Sequence, residues 1–261
     1  MRHAAALALI AGLFVLPVVV LLFQAGAPGW RYPDIIPPDL SWDGLMQTME
    51  RPGPMLISLG SSVAYSLATV VMTVAMTLTP ARFLAHASFR GKNLLEGLLL
   101  TPALVPAMTY SMGLHFVFIR LGLADNVVGV VLVLSIAAYP YMLRSLTTAC
   151  AHLGRDYRTC ALNLGASPAR TFLQVELPLL LPALAAGGSV VFLVAFSEYF
   201  LVFLIGGGSV ESFTGYLFPV ITSSNRGLGA LVTLIFLVVP VLLFAGLEMM
   251  LGGYFRRRGM R

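Results

Sequence analysis

The chain reads as an all-α membrane protein of six transmembrane helices. Three observations carry that reading: an apolar composition, six charge-free apolar runs, and a lopsided distribution of arginine and lysine. Apolar residues make up 58% of the 261 and charged residues only 10%, with a mean hydropathy of +0.90. A soluble domain is typically about 45–50% apolar and about 25% charged. The length suits one bundle of spans with short loops. A net charge of +5 could point to nucleic acid, but its placement along the chain gives it a different meaning, and no nucleic-acid partner is expected.

The runs cover residues 4–23, 55–79, 97–119, 127–143, 177–197 and 227–247. Each is near the roughly 17–25 residues that cross hydrocarbon as a helix, and a helix is required because lipid satisfies no backbone polar group. The first run has a rival reading. It follows Arg2 and His3 and ends near Ala25-Gly26-Ala27, like a secretory signal with a small-residue cleavage site. Its length favours a retained helix, since a signal core is about 7–15 residues.

Six spans put both termini on one side, and the cations then partition. Arg2, Arg82, Arg90, Lys92, Arg144, Arg155, Arg158, Arg170, Arg256, Arg257, Arg258 and Arg261 share that side, against Arg31, Arg51, Arg120 and Arg226 on the other, twelve to four. The positive-inside rule places the richer side, with both termini, in the cytoplasm. The expected organisation is a first helix with a proline-rich external loop over 1–54, a five-helix core over 55–255 containing a polar loop at 152–178, and a basic tail at 256–261. In the external loop, prolines 28, 33, 37, 38, 52 and 54 stiffen the connection, and Trp30, Tyr32 and Trp42 suit the headgroup level. The two cysteines, Cys150 and Cys160, are too few for a disulfide framework or metal site, and two reduced thiols are expected. Gly206-Gly207-Gly208 reads as a flexible external turn. No Lys-Ser/Thr follows it, so it is no phosphate cradle.

The polar loop is the most informative stretch. Residues 156–164 and 168–176 each suit a short helix, with Pro168 near a first turn, where a missing N–H is harmless. Gly165 lies between them, where a reversal favours positive φ. Helices of about nine residues are not stable alone, so packing must order them. Leu162, Leu164, Phe172 and Val175 offer the surface, while Pro178 and Pro182 would kink the entry to the fifth span. On physical grounds alone an amphipathic connector lying on the membrane accounts for the loop about equally well.

The wording of this loop resembles that of permease subunits of ABC importers, where Glu-Ala-Ala, three residues, glycine and a later Leu-Pro form a cytoplasmic coupling loop. Ala161, Gly165, Leu177 and Pro178 match, within Leu164-Gly165-Ala166-Ser167-Pro168 and Leu177-Pro178-Leu179-Leu180. Thr159 and Cys160 depart from it, standing where the glutamate and first alanine are expected. Either Asp156 and Arg158 compensate, or a sister permease keeps the glutamate. Ser58 to Thr69, Leu98 to Pro106 and Ala138 to Tyr141 look like successive spans of the same class, so the likeness covers about 55–250.

The resemblance implies a type I importer fold with a coupling helix between spans 4 and 5. It implies alternating access driven by ATPase subunits that bind ATP and magnesium, a second permease (sister or self), and an external solute-binding protein. No cofactor or metal is expected on this chain, and no catalytic residue. The expected ATPase contacts are Asp156, Arg158, Thr159, Cys160, Ala161, Leu164, Gly165, Ala166, Ser167, Pro168 and Phe172.

Glu198, in Phe196-Ser197-Glu198-Tyr199-Phe200, is the charged residue that draws attention at the outer end of the fifth span. An acid at a bilayer centre costs about 2.5–3.5 kcal/mol. It either lines the path with Ser197, Tyr199 and Tyr110, or sits at the surface, paired with Arg226. Its surroundings resemble the polyamine branch of these permeases, which also includes relatives handling ferric iron, thiamine and phosphonates. The expected solute is small and polar, with spermidine or putrescine suited to an acidic, aromatic path. His115, Ser66, Thr69 and Tyr139 read as packing or helix adhesion as readily as pore lining, and Met72, Met76, Met108 and Met112 as gap filling. An ion-coupled secondary transporter using Glu198 or His115 is the competing function. No nucleophile and base spacing supports an enzyme.

Overall fold

The computed structural model describes residues 2–27, 29–30, 34, 36–37, 41, 46, 52–154 and 156–257, without the side chains of 2–10, 251 and 254–257. Tyr32, Trp42, prolines 28, 33 and 38, and arginines 31, 51, 155, 258 and 261 therefore lie outside the described residues. The same holds for the side chains of Arg2, Arg256 and Arg257.

Ten helices are described: α1 Arg2–Gly26, α2 Gly53–His86, α3 Lys92–Leu104, α4 Ala107–Arg120, α5 Val127–Leu153, α6 Asp156–Asn163, α7 Pro168–Ser197, α8 Phe200–Gly206, α9 Phe213–Thr222 and α10 Arg226–Arg257. Four of them, α2, α5, α7 and α10, are long and apolar enough to cross a membrane. The expected third span, 97–119, is not one helix. It is α3 and α4, meeting at 97°. Counting that pair as one span makes five, and the part of α1 with described side chains, Ala11–Gly26, falls below span length.

Pro106 explains the bend. Val105 is extended (φ −97°, ψ 128°) and Pro106 follows with ψ 133°. A residue before proline is pushed out of the α region, and proline itself donates no hydrogen bond. Asn126 then starts α5 by accepting the Gly129 N–H at 2.9 Å, an ordinary N-cap.

The chain divides into two units. One comprises Met1–Gly60 and Ser212–Ala245, the other Ser61–Glu211 and Gly246–Arg261. In the first, Trp30 packs edge-on to Phe23 and its indole N–H donates to the Asp34 carbonyl at 2.9 Å. Ser212 caps α9, and Phe213 stacks on Phe236 with rings 6.3 Å apart.

The second unit is built on α5, which packs most extensively along α7 and also receives α3 and α8. Small residues permit that approach. A Cβ on Gly187 would lie 2.9 Å from the Ser145 Cβ, and Ser145 donates to the Ala183 carbonyl at 2.8 Å; close backbones with Ser hydrogen bonds are a usual adhesive between membrane helices. Two apolar clusters result. One gathers Tyr65, Phe118, Val130, Leu134, Leu201 and Ile205, the other Leu84, Met142, Leu143, Leu146 and Val191. On α2 the buried Thr69, Thr73 and Thr77 each donate to the carbonyl four residues back, at 2.7–2.8 Å, which satisfies hydroxyls where no water is available.

Met108 and Met112 do not fill gaps in this chain. Both are exposed on α4. Nor is the Gly206–Gly208 segment a loose turn: Gly206 is buried at the end of α8, Asp125 N–H donates to the Ile205 carbonyl at 2.8 Å, and Ser209 Oγ donates to the Asp125 carbonyl.

Candidate functional site

The polar loop folds as two parts of unequal character. α6 is a separate eight-residue helix with Asp156 in its first turn, where a carboxylate favours the helix dipole. The other half, expected as a second short helix over 168–176, is continuous with the fifth apolar span. Ser167 caps it by accepting the Arg170 N–H, Pro168 occupies its first turn, and one π-helical turn, Phe172–Glu176, leads into Leu177. That wider turn lies just before Pro178, which cannot donate in an α-ladder. So Pro178 and Pro182 both lie within one continuous helix, whose turn just before Pro178 is widened.

Gly165 makes the reversal, with φ +84°. Its N–H donates to the Leu162 carbonyl at 2.9 Å, and the Ala166 N–H to the Ala161 carbonyl at 3.1 Å, the paired bonds of a Schellman close. Ala161 and Ala166 are half-buried, whereas Asp156, Arg158, Thr159, Cys160, Ser167 and Pro168 are exposed. Leu164, just past the end of α6, is 88% exposed and Tyr157, in its first turn, 57%. The inner face of α6 packs on Pro168–Glu176. Phe172 and Val175 are half-buried there and belong to the anchorage more than to the outward face. Cys160 is exposed and Cys150 buried, both as free thiols.

Sequence reading missed the charged centre of this region. Glu176, buried at the start of α7, forms an ion pair through Oε2 with Arg82 Nη2 near the end of α2, while Arg158 Nε of α6 lies 3.7 Å from Oε1. The Arg82 guanidinium also sits over the Phe172 ring, 5.1 Å from its centre, in cation–π range. These groups border a cleft of about 600 Å³ that Thr79, His86, Tyr157, Thr159 and Leu162 also line. Arg82 and Glu176 are 94 positions apart, and no local spacing joins them. The available signal was one uncompensated charge at the edge of each apolar run.

The path residues gather elsewhere, at the break between α7 and α8. Glu198 ends α7 and its Oε1 accepts the Leu201 N–H at 3.1 Å, capping α8. Ser197 donates to the Leu193 carbonyl at 2.7 Å, and Tyr199 stacks on Phe203. The Glu198 carboxylate lies within electrostatic reach of the Tyr110 hydroxyl and of Tyr65. Tyr65 was not anticipated; its hydroxyl is buried beside Ser62 Oγ at 3.1 Å. Tyr110 also borders an apolar groove of about 450 Å³ with Leu98, Thr101 and Pro102. Among the described residues, Ser66 Oγ and His115 Nδ1 are buried without a hydrogen-bond partner.

The chain belongs to the family described as binding-protein-dependent transport system inner membrane component, which matches residues 78–252. It is 30% identical over 167 residues to the molybdenum transport system permease protein ModB of Mycobacterium tuberculosis, covering 59% of this chain and 62% of ModB. The chain thus spans about three fifths of that relative's length. It is 27% identical over 176 residues to the probable sulfate transport system permease protein cysT of Marchantia polymorpha, covering 63% and 61%. It is 25% identical over 246 residues to the trehalose transport system permease protein SugB of Mycobacterium tuberculosis, covering 90% and 89%. A chain in the crystal structure of a bacterial ABC transporter involved in the import of the acidic polysaccharide alginate shares the fold, with TM-score 0.75 and 14% identity over 95% of this chain and 94% of that one.

Proposed function

We propose that this chain is the transmembrane permease subunit of an ATP-driven importer, moving a small polar solute by alternating access while partner ATPase subunits bind ATP and magnesium. The observation that carries the reading is α6: a helix too short to stand alone, ordered on the start of α7, with Tyr157 in its first turn and Leu164 just past its end both exposed. Such a handle suits a groove on a soluble motor. α6 acts as the coupling helix, the loop and both termini face the cytoplasm, and a second permease and an external binding protein complete the complex.

For the solute, we infer a small oxyanion such as molybdate or sulfate. The support is the naming of the relatives above, together with the role of Glu198. The polyamine expectation rested on that carboxylate as a cation ligand; its Oε1 accepts the Leu201 N–H, and none of the relatives named above is a polyamine permease. SugB, with 90% of this chain matched, supports a sugar as the second reading.

The test is purification in mild detergent followed by reconstitution with the co-purifying partners. ATP-dependent uptake of labelled molybdate or sulfate, competed by each other and untouched by trehalose or spermidine, is the expected result. Competition by trehalose alone selects the sugar, and by spermidine alone the polyamine. Protein that brings down no ATPase and transports on an ion gradient by itself is a secondary transporter instead.

A further inference from the structure

Glu176 is held from two sides by two different helices, one arginine on each carboxylate oxygen. Arg82 comes from α2 and Arg158 from α6, while Glu176 belongs to α7. α6 is joined covalently to α5 and α7 alone; this carboxylate gives it an ionic route toward α2 as well. The three side chains differ in exposure, at 30% for Arg82, 11% for Glu176 and 54% for Arg158. The Glu176–Arg82 part is thus sheltered, where charges attract strongly and separate at high cost, and Phe172 backs the Arg82 guanidinium.

Toward their far ends the two clamped helices share a buried cluster, through Tyr65 of α2 and Ala195 of α7. From Arg82, α2 runs back to Tyr65, about 26 Å at 1.5 Å per residue; from Glu176, α7 runs on to Glu198, about 33 Å. Tyr65 and Glu198 are within electrostatic reach of one another. The two helices therefore share an ionic clamp at one end and, at the other, a buried cluster to which α2 gives Tyr65 and α7 gives Ala195, beside Glu198. A displacement of α6 that reached α7 alone would shear the cluster; one shared between α2 and α7 would move both of its sides together.

We propose that Arg82, Glu176 and Arg158 are positioning residues that convey the movement of α6 jointly to α2 and α7, so that ATP hydrolysis is tied to opening at the Tyr65–Glu198 end. This rests on the importer reading given above. Coupling carried by rigid elements is established only by a measured coupling energy, and the clamp offers one.

The complete transporter is reconstituted in proteoliposomes with wild-type permease, Arg158→Ala, Arg158→Lys, Glu176→Gln, and the double variant Arg158→Ala/Glu176→Gln. ATP hydrolysis and solute uptake are measured together with recovery of the ATPase. Arg158→Ala and Glu176→Gln lower uptake per ATP hydrolysed by about 5- to 150-fold, the usual range of a coupling free energy. Arg158→Lys restores most of it. The double variant is no worse than Glu176→Gln, because Glu176→Gln already removes the link that Arg158→Ala breaks. Unchanged uptake per ATP in Arg158→Ala, or losses that multiply in the double variant, overturns the proposal. Loss of the ATPase from Arg158→Ala complexes also overturns it, making Arg158 a docking residue. Should Glu176→Gln fail to insert, the exposed Arg158 pair decides alone. Wild-type protein that neither retains an ATPase nor uses ATP refutes the importer reading itself, a separable outcome.

Discussion

Gly165 has open space where a Cβ would be, so its identity is explained by backbone conformation alone. At φ +84° a side chain costs about 1–2 kcal/mol, and proline cannot adopt the angle at all. Gly165→Pro also deletes the N–H donated to Leu162. We expect it to abolish ATPase association or ATP-driven uptake while the protein still inserts into the membrane; unchanged uptake would remove α6 from the mechanism. Glu198 poses a different question, because its charge and its hydrogen bond can be separated. Gln keeps an acceptor for the Leu201 N–H and should preserve both stability and oxyanion uptake. Leu removes the cap and should destabilise by about 0.5–2 kcal/mol, read from thermal unfolding in detergent. A large uptake defect in Glu198→Gln with intact stability would return the carboxylate to the solute path.

Among the elements, α5 and α7 depend most on side-chain size. Gly187 meets Ser145 and Met142 so closely that even a Cβ would sit at 2.9–3.0 Å from them. Gly187→Leu must push the helices apart, breaking the Ser145 to Ala183 bond, and overpacking of this kind costs about 1–3 kcal/mol. The expected result is a lowered unfolding midpoint and reduced recovery of folded protein, with Gly187→Ala intermediate. A Leu variant as stable as the wild type would mean that the two helices have slack. The elbow between α3 and α4 belongs to this scale too. Pro106 was visible in the third apolar run and carried the warning that hydropathy ignored: a run can be apolar throughout while its backbone cannot continue as one helix.

At the scale of the whole molecule, orientation is the property that charge counting proposes, and the two cysteines can test it. Cys160 is exposed on α6 and Cys150 buried on α5. A membrane-impermeant maleimide should label Cys160 in inside-out vesicles and leave it untouched in intact cells, whereas Cys150 should react only after denaturation. Labelling of Cys160 from outside would invert the topology and with it the place of any ATPase.

Much of this was legible in one dimension, since lipid imposes local rules. The helical class, the positions of the long spans, the reversal at Gly165 and the start at Pro168 follow from run length, glycine and proline. The membership of an importer permease family was readable from the loop's wording. Tertiary structure decided what local rules do not reach. It alone joined Arg82 to Glu176 across 94 positions and brought Arg158 to the same carboxylate. It set Glu198 at the break between α7 and α8, accepting the Leu201 N–H, and it merged the second half of the polar loop into α7. The physical reason is range: hydropathy and backbone preference act over a few residues, whereas an ion pair depends only on where two chain segments meet in space.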